Sequence, residues 1–361
     1  MQGLSVASTR EIARRPLAES CYGVGMKRLG PVLLLGLALV LSTLPLESRT
    51  TAQEPVTKTL SIATVAPPGS TLMRGFEAWN RELRRRTNRS LQFRFYAGGV
   101  QGDEPELLRK IRGGRLDGCT VTSLGLSQIY RPSLVLQLPG TFLRYEQLDA
   151  ARTALSPTID AGIEHAGFHM LGWADIGQAR IFSSSPVRSP SDLVGKRFWR
   201  RADDLIIPAF FEVVHTTPVT LALAEVLGGL QTRRIDTFLA PPVVAIMLQW
   251  GSHARTMTDI PMAIVVGGTV LGDRAWQTLS EQERTVLTET GIQFHALGRR
   301  NSRAAERMAV ETLVSRGIQV VTTTEADHQQ WRRVGREVRA RVASRIADAA
   351  LIERAAAFGE H

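Results

Sequence analysis

Two stretches decide how this chain is read: Glu106-Leu107-Leu108 with Ile111 and Arg115-Leu116-Asp117, and Glu225-Val226-Leu227 with Leu230 and Arg234-Ile235-Asp236, which repeat the same residue classes at identical spacing. Each copy predicts a helix, a tight turn and a buried strand opening near the Asp, Gly118 to Val121 in the first and Thr237 to Leu239 in the second. Met twice, this unit predicts two similar α/β lobes. In open α/β sheets ligands gather beyond the carboxyl ends of the strands. Two lobes facing each other would therefore line a cleft with Thr122-Ser123 on one side and Ala240-Pro241 on the other. The rival reading is a chance match of common helix and strand residues.

The flanking sequence continues the alternation. Leu60 to Val65 reads as a buried strand stopped by Pro67-Pro68-Gly69, and Ser70 caps a helix with Leu72, Phe76, Trp79 and Leu83 at helical spacing. Leu91 to Tyr96 alternates as a second strand, and Glu104 to Ile111 reads as a helix. Ser280 with Glu283 forms a capping box for a long helical region that runs toward Arg316, with a break expected at Gly291, and stops at Gly317. Ile318 to Val321 is a short strand. From Glu325 a last helix sets Trp331, Val334, Val338, Val342 and Ile346 on one face.

The composition fits an ordinary folded chain. Of 361 residues, 43% are apolar and 22% charged, which excludes disorder and low-complexity fibre and predicts two domains. The net charge of +10 raises nucleic acid as a partner, but only Lys27, Lys58, Lys110 and Lys196 are lysines and the arginines are scattered without a long like-charge block. We therefore expect no nucleic-acid partner.

Met26-Lys27-Arg28 opens an uncharged stretch from Leu29 to Leu46, densest between Val32 and Leu41, and Thr50-Thr51-Ala52 supplies small residues for cleavage before Gln53. That is a signal-peptide layout. It predicts export, with Met26 as the start and 1–52 as presequence and signal peptide. A retained membrane anchor is the alternative, opposed by the short apolar centre and by Pro31 and Pro45. Removal of the segment takes Cys21 and leaves Cys119 as a single thiol, read as a small core residue.

Reaction chemistry is thin. The chain has no nucleophile elbow, phosphate loop, His-Glu-x-x-His or paired cysteines. His165 and His169 stand four apart, but Gly167 between them marks a helix-to-strand turn and no third ligand is near. Gly98-Gly99-Val100-Gln101-Gly102 turns the chain, and Asp203-Asp204 reads as a cap or loop. No catalytic residue, cofactor or metal site is expected.

Taken together, Gly99-Val100-Gln101-Gly102-Asp103-Glu104, Gly114-Arg115-Leu116-Asp117, Leu138-Pro139-Gly140-Thr141-Phe142, Ser189-Pro190-Ser191-Asp192-Leu193-Val194-Gly195-Lys196, and Ala224-Glu225-Val226 through Leu230-Gln231-Thr232 with Asp236 resemble the DctP-type receptors of tripartite ATP-independent periplasmic (TRAP) transporters. The resemblance runs from about Thr59 to the C-terminal helices. It implies a two-lobed periplasmic binding protein with a hinge and an interlobe cleft, which delivers a small-molecule solute to TRAP membrane permease subunits driven by an ion gradient. It divides the chain into 53–178 as the first part of lobe I, 179–262 as the first part of lobe II, 263–300 as the return to lobe I, and 301–361 as C-terminal helices mainly of lobe II. A periplasmic enzyme or sensor on the same fold is the alternative.

The departures from that family bear on the ligand. Receptors for organic acids carry a carboxylate-clamping arginine on the strand after the Asp-Leu-x-Gly turn, and here that position is Trp199, with Arg197 and Arg200 out of register. The asparagine expected after the second Asp turn is Ala240, while Phe238, Met247 and Trp250 add apolar surface. These changes point to a bulky, partly apolar solute; the competing reading is that Trp199 and Trp250 are core aromatics. Arg180, after Gly177, is the expected polar anchor, and Glu104, Thr122 and Ser123 complete the expected ligand-binding set, with a surface ion pair, helix-dipole stabilisation and strand termination as their respective alternatives.

Overall fold

A computed structural model describes residues 57–359. The presequence and its cleavage site lie outside the described residues. Ten strands are present among them: β1 (Lys58–Ala63), β2 (Leu91–Tyr96), β3 (Gly118–Thr122), β4 (Phe168–Ser183), β5 (Trp199–Arg200), β6 (Val219–Thr220), β7 (Thr237–Ala240), β8 (Thr256–Thr258), β9 (Ala263–Gly272) and β10 (Gln319–Val321). The main sheet runs β2-β1-β3-β9-β4-β8-β10, with β7 also on β4, and β5 and β6 form a small parallel pair.

β4 joins the two halves of this sheet. From Phe168 to Ala179 it pairs antiparallel with β9, and from Arg180 to Ser183 it pairs with β7, while Phe182 and Ser183 also pair with β8. The parallel β1, β2 and β3 thus belong to one half and β7, β8 and β10 to the other. Register shifts at Met170/Gly172 and Asp175/Gly177 bend the ladder before the crossing.

The repeated unit has a structural reason. The helices Glu104–Arg112 and Val226–Gln231 each precede a buried strand, β3 and β7. At both turns the Asp carboxylate takes a backbone N–H from a neighbouring segment: Asp117 accepts from Ser61 N at 2.7 Å, and Asp236 from Arg197 N at 3.0 Å. Ile111 and Leu230, with Leu116 and Ile235, are buried at matching places. The spacing is therefore the spacing of one helix-turn-strand device used once in each half-sheet.

Local expectations hold with two differences. Ser70 Oγ caps the helix Thr71–Arg86 by accepting from Met73 N at 3.2 Å, and Phe76, Trp79 and Leu83 are buried. Leu72, however, is 46% exposed, and Met73 takes the inward place. The helix Glu281–Ser315 starts at the expected Ser280 and Glu283 capping box but does not break at Gly291. A Cβ there would stand 2.3 Å from Leu171 O, so the glycine lets the helix approach β4. The helix Glu325–Ile346 buries Trp331, Val334, Val338, Val342 and Ile346, and packs on the helix Ile207–Val213. Cys119 is buried, and burial pushes its thiol pKa up.

Candidate functional site

A cavity of about 1020 Å³ opens beside the crossing of β4, with walls drawn from both half-sheets. Thr122 and Ser123 follow β3 on one side, and Ala240 and Pro241 follow β7 on the other, the two places where the repeated unit ends. Most of the wall is apolar, including Phe198, Trp199, Phe210, Met247 and Trp250. Mostly apolar lining with a few polar groups is the form of a small-molecule site.

Trp199 and Trp250 line the cavity and also pack on each other, edge to face with ring centroids 5.1 Å apart. Trp199 Nε1 donates to Leu221 O at 3.1 Å, which fixes the indole. They are packed aromatics whose other face is the cavity wall. Phe238 stacks on Phe182 at 5.0 Å in the layer behind and does not line the cavity. Arg180 also lies off the wall. Its Nη1 donates to Asp259 O and, at 3.2 Å, to Thr258 O, while its Nε is buried without a hydrogen-bond partner. Arg197 is turned to Asp236, at 2.9 Å from Nε to Oδ2, whereas Arg200 lines the cavity, its Nε donating to Thr220 Oγ1 at 3.0 Å.

One polar strip of the wall runs from Glu104 through Thr122 and Ser123. Glu104 accepts from Thr122 N at 2.7 Å and from Thr122 Oγ1 at 3.0 Å, tying the start of its helix to the end of β3. Burial pushes the Glu104 carboxyl above the usual range, against the opposing pull of Arg201 and Thr122. Ser123 Oγ donates to Gln137 Oε1 at 2.8 Å. Arg201 gives Nε and Nη2 to Asp203 at 3.0 and 2.8 Å and sits 3.6 Å from Glu104 Oε2. Burial works against the Arg201 cation, but Asp203, Glu104 and Asp103 outweigh it and hold its pKa up. Asp204 Oδ1 accepts from Ile206 N and Ile207 N at 2.8 and 2.9 Å, the cap expected for the acidic pair.

Glu104, Thr122, Ser123, Trp199, Ala240 and Trp250 thus come together, whereas Arg180 and Phe238 stand outside. Gln137, Arg200 and Arg201 also line the wall, Gln137 and Arg201 without having been picked out from the sequence. Gln137 ends the short turn Arg131–Gln137, and β5 is two residues long, too short for alternation to forecast that Arg200 and Arg201 both reach the wall. Among the described residues no group of His, Cys, Asp and Glu is placed to hold a metal ion, and no helix is long and apolar enough to cross a membrane. His169 instead lies 2.9 Å from Asp273 and stacks on Trp276 at 4.4 Å.

Comparison with known proteins gives this arrangement its relatives. The chain is 27% identical over 166 residues to the 2,3-diketo-L-gulonate-binding periplasmic protein YiaO of Escherichia coli K12, a match covering 44% of this chain and 48% of that protein. The chain therefore spans about half the length of that relative. Two solved structures share the fold at a TM-score of 0.78. One is a TRAP periplasmic solute-binding protein of Ralstonia eutropha H16 with bound (S)-2-acetolactate, at 20% identity over 84% of this chain and 98% of that one. The other is a TRAP periplasmic solute-binding protein of Shewanella oneidensis with bound succinate, at 19% identity over 84% and 99%. Residues 62–345 match the DctP family throughout, and the chain belongs to the bacterial extracellular solute-binding proteins, family 7.

Proposed function

We propose that this protein is the periplasmic receptor of a TRAP-type transporter, which binds a small organic, partly apolar solute between two lobes and passes it to an ion-gradient-driven permease. The observation that carries this reading is the cavity built from both half-sheets, with one wall after β3 and the other after β7. A solute that touches both walls binds the closed arrangement better than the open one, so closure follows from differential affinity. Lobe I takes residues 53–178 and returns at 263–300, lobe II takes 179–262, and the helices from 301 onward belong mainly to lobe II. A boundary near 178/179 is supported by the change of partner along β4, which pairs with β9 as far as Ala179 and with β7 from Arg180.

Trp199, Trp250 and Ala240 form the apolar side of the site and Glu104, Thr122 and Ser123 the polar side. Phe238 supports Trp250 from behind, with ring centroids 5.5 Å apart, and Arg180 holds the strand end at Asp259. Export with cleavage near Ala52 completes the proposal, and the solute is the partner for which binding needs neither cofactor nor catalytic group. The test is solute uptake in a strain lacking the gene. Uptake should return with the full-length gene only when multi-spanning permease subunits are present. Return of uptake without them would overturn the transporter assignment.

A further inference from the structure

Beside the cavity, side chains from the two half-sheets reach each other directly. Arg201 follows β5, which joins β7 through the bridge from Phe198 to Thr237, while Asp103 and Glu104 open the helix that precedes β3. Across the gap Arg201 Nη1 lies 3.4 Å from Asp103 Oδ1, and Nη2 lies 3.6 Å from Glu104 Oε2. A second tie runs the opposite way: Gln128 Nε2, in the helix Ser123–Ile129 after β3, donates to Asp203 Oδ2 at 3.1 Å. Asp203 in turn takes Arg201 Nε and Nη2 at 3.0 and 2.8 Å, so one network spans the gap twice.

The partners on the β3 side are fixed targets. Glu104 is tied to Thr122, and Asp103 Oδ1 accepts from Glu104 N at 2.8 Å as the helix cap. The side chains of Arg201 and Glu104 are 10% and 3% exposed, so their charges meet where water screens them weakly. When the halves part, Arg201 keeps Asp203 from its own segment but loses Asp103 and Glu104, and Asp203 loses Gln128. These ties belong to the closed arrangement alone and favour it by contacts between protein groups. Asp103, Gln128 and Asp203 stand off the cavity wall, so their share of the effect does not pass through a contact with the solute.

We infer that Arg201 is a positioning residue for solute binding: with Asp203 and Gln128 it latches the segment after β5 to the helices on either side of β3, so that part of the population is closed before a solute arrives. The inference rests on the receptor reading above and adds to it a term in closure that is independent of the solute. A solute that binds only the closed arrangement gains apparent affinity as that fraction rises.

Double electron–electron resonance between spin labels at Arg109→Cys and Gln231→Cys, one exposed position on each half, reads the closed-to-open ratio of the exported protein; Cys119 is buried and stays unlabelled. The protein is first stripped of solute by unfolding and refolding. The labelled parent should then show a closed population. Asp103→Asn keeps a helix cap and Gln128→Met keeps the bulk, and each should lower the closed-to-open ratio about fivefold. Arg201→Gln should lower it about tenfold, whereas Arg201→Lys, which keeps the charge that faces Asp103 and Glu104, should stay within about twofold of the parent. Thermal melting of each variant checks that it is folded. A stripped parent that shows only the open distance, an unchanged ratio in Asp103→Asn and Gln128→Met, or a lysine variant no better than the glutamine one would each overturn the inference. Adding the host's small-molecule extract judges the receptor reading separately. A parent that is open when stripped and closes with the extract sinks the latch and leaves the receptor standing, while an extract that shifts the ratio of neither parent nor variants overturns the receptor reading and this inference with it.

Discussion

Trp199 meets Trp250 edge to face, with ring centroids 5.1 Å apart and planes at 73°, and the pair forms a wall shared by the core and the cavity. A residue with this double contact affects binding and folding unequally. Trp199→Ala should weaken solute affinity by about 1–3 kcal/mol through lost apolar and aromatic contact, and it also strips the Leu221 carbonyl of its donor. Because the residue is only half-buried, the protein should still fold. Calorimetry with the natural solute beside thermal unfolding reads both effects. An unchanged affinity would remove Trp199 from the site.

Asp175 is enclosed by cations at the bend of β4. Its carboxylate is bound by Arg152 and, at 2.8 Å, by Arg303 Nε, while Arg303 also reaches Asp149 at 2.7 Å and covers the Tyr145 ring at 4.3 Å. The side chain of Asp175 is fully buried. Removing it leaves Arg152 buried without its main counter-ion. Asp175→Ala should therefore cost about 3–5 kcal/mol in urea unfolding, and a loss under about 1 kcal/mol would show that water or Asp149 compensates.

Two glycines of the same helix give a matched pair. A Cβ at Gly291 would lie 2.3 Å from Leu171 O, whereas one at Gly298 meets nothing within 4 Å. Gly298→Ala should stabilise the apo protein by about 0.5–1 kcal/mol through helix propensity. Gly291→Ala should destabilise it by about 1–3 kcal/mol despite the same propensity gain, because helix and strand must separate. Equal effects in the two variants would contradict the close approach.

This pair also shows where the sequence stops informing. The repeat was legible because Ile111 and Leu230, Leu116 and Ile235, and Asp117 and Asp236 each do local work within one helix-turn-strand unit. Gly291 carries the local signal of a helix break, and only its contact with a strand more than a hundred residues away in sequence explains why the helix continues. The candidate site divides in the same way. Thr122, Ser123 and Ala240 follow from strand ends, while Gln137 depends on meeting Ser123 and Val266, which are 14 and 129 residues away. Arg180 was legible as an arginine after a glycine, but not the Thr258 and Asp259 carbonyls that occupy it.

Asp160 supplies a pH dependence with a definite sign. Burial raises its pKa from 3.8 to about 6, against the pull of the hydrogen bond from Trp173 Nε1 at 3.0 Å. A carboxyl with a raised folded-state pKa favours the folded state fully below its ordinary pKa, and that contribution is lost as pH climbs through about 6. Asp160→Asn keeps an acceptor for Trp173 and removes the charge. The variant should be more stable than the wild type at pH 8 by about 1–2 kcal/mol, with the difference vanishing toward pH 4, on the order of the ordinary carboxyl pKa. His295 acts oppositely: burial lowers its pKa from 6.5 to about 4, despite its bond to Gly291 O. Its contribution is present above 6.5 and is lost as pH falls toward 4. An Asp160→Asn advantage that grew on acidification would contradict the sign.

The cavity between the half-sheets is the proposed seat of the solute. Native mass spectrometry of the protein isolated from the periplasm of its own host, without unfolding, tests this most directly. The expected result is a complex carrying one small organic molecule, which disappears in Trp199→Ala while the variant remains folded. A wild-type protein that carries only its own mass, and whose melting temperature does not rise when the host's small-molecule extract is added, would contradict it.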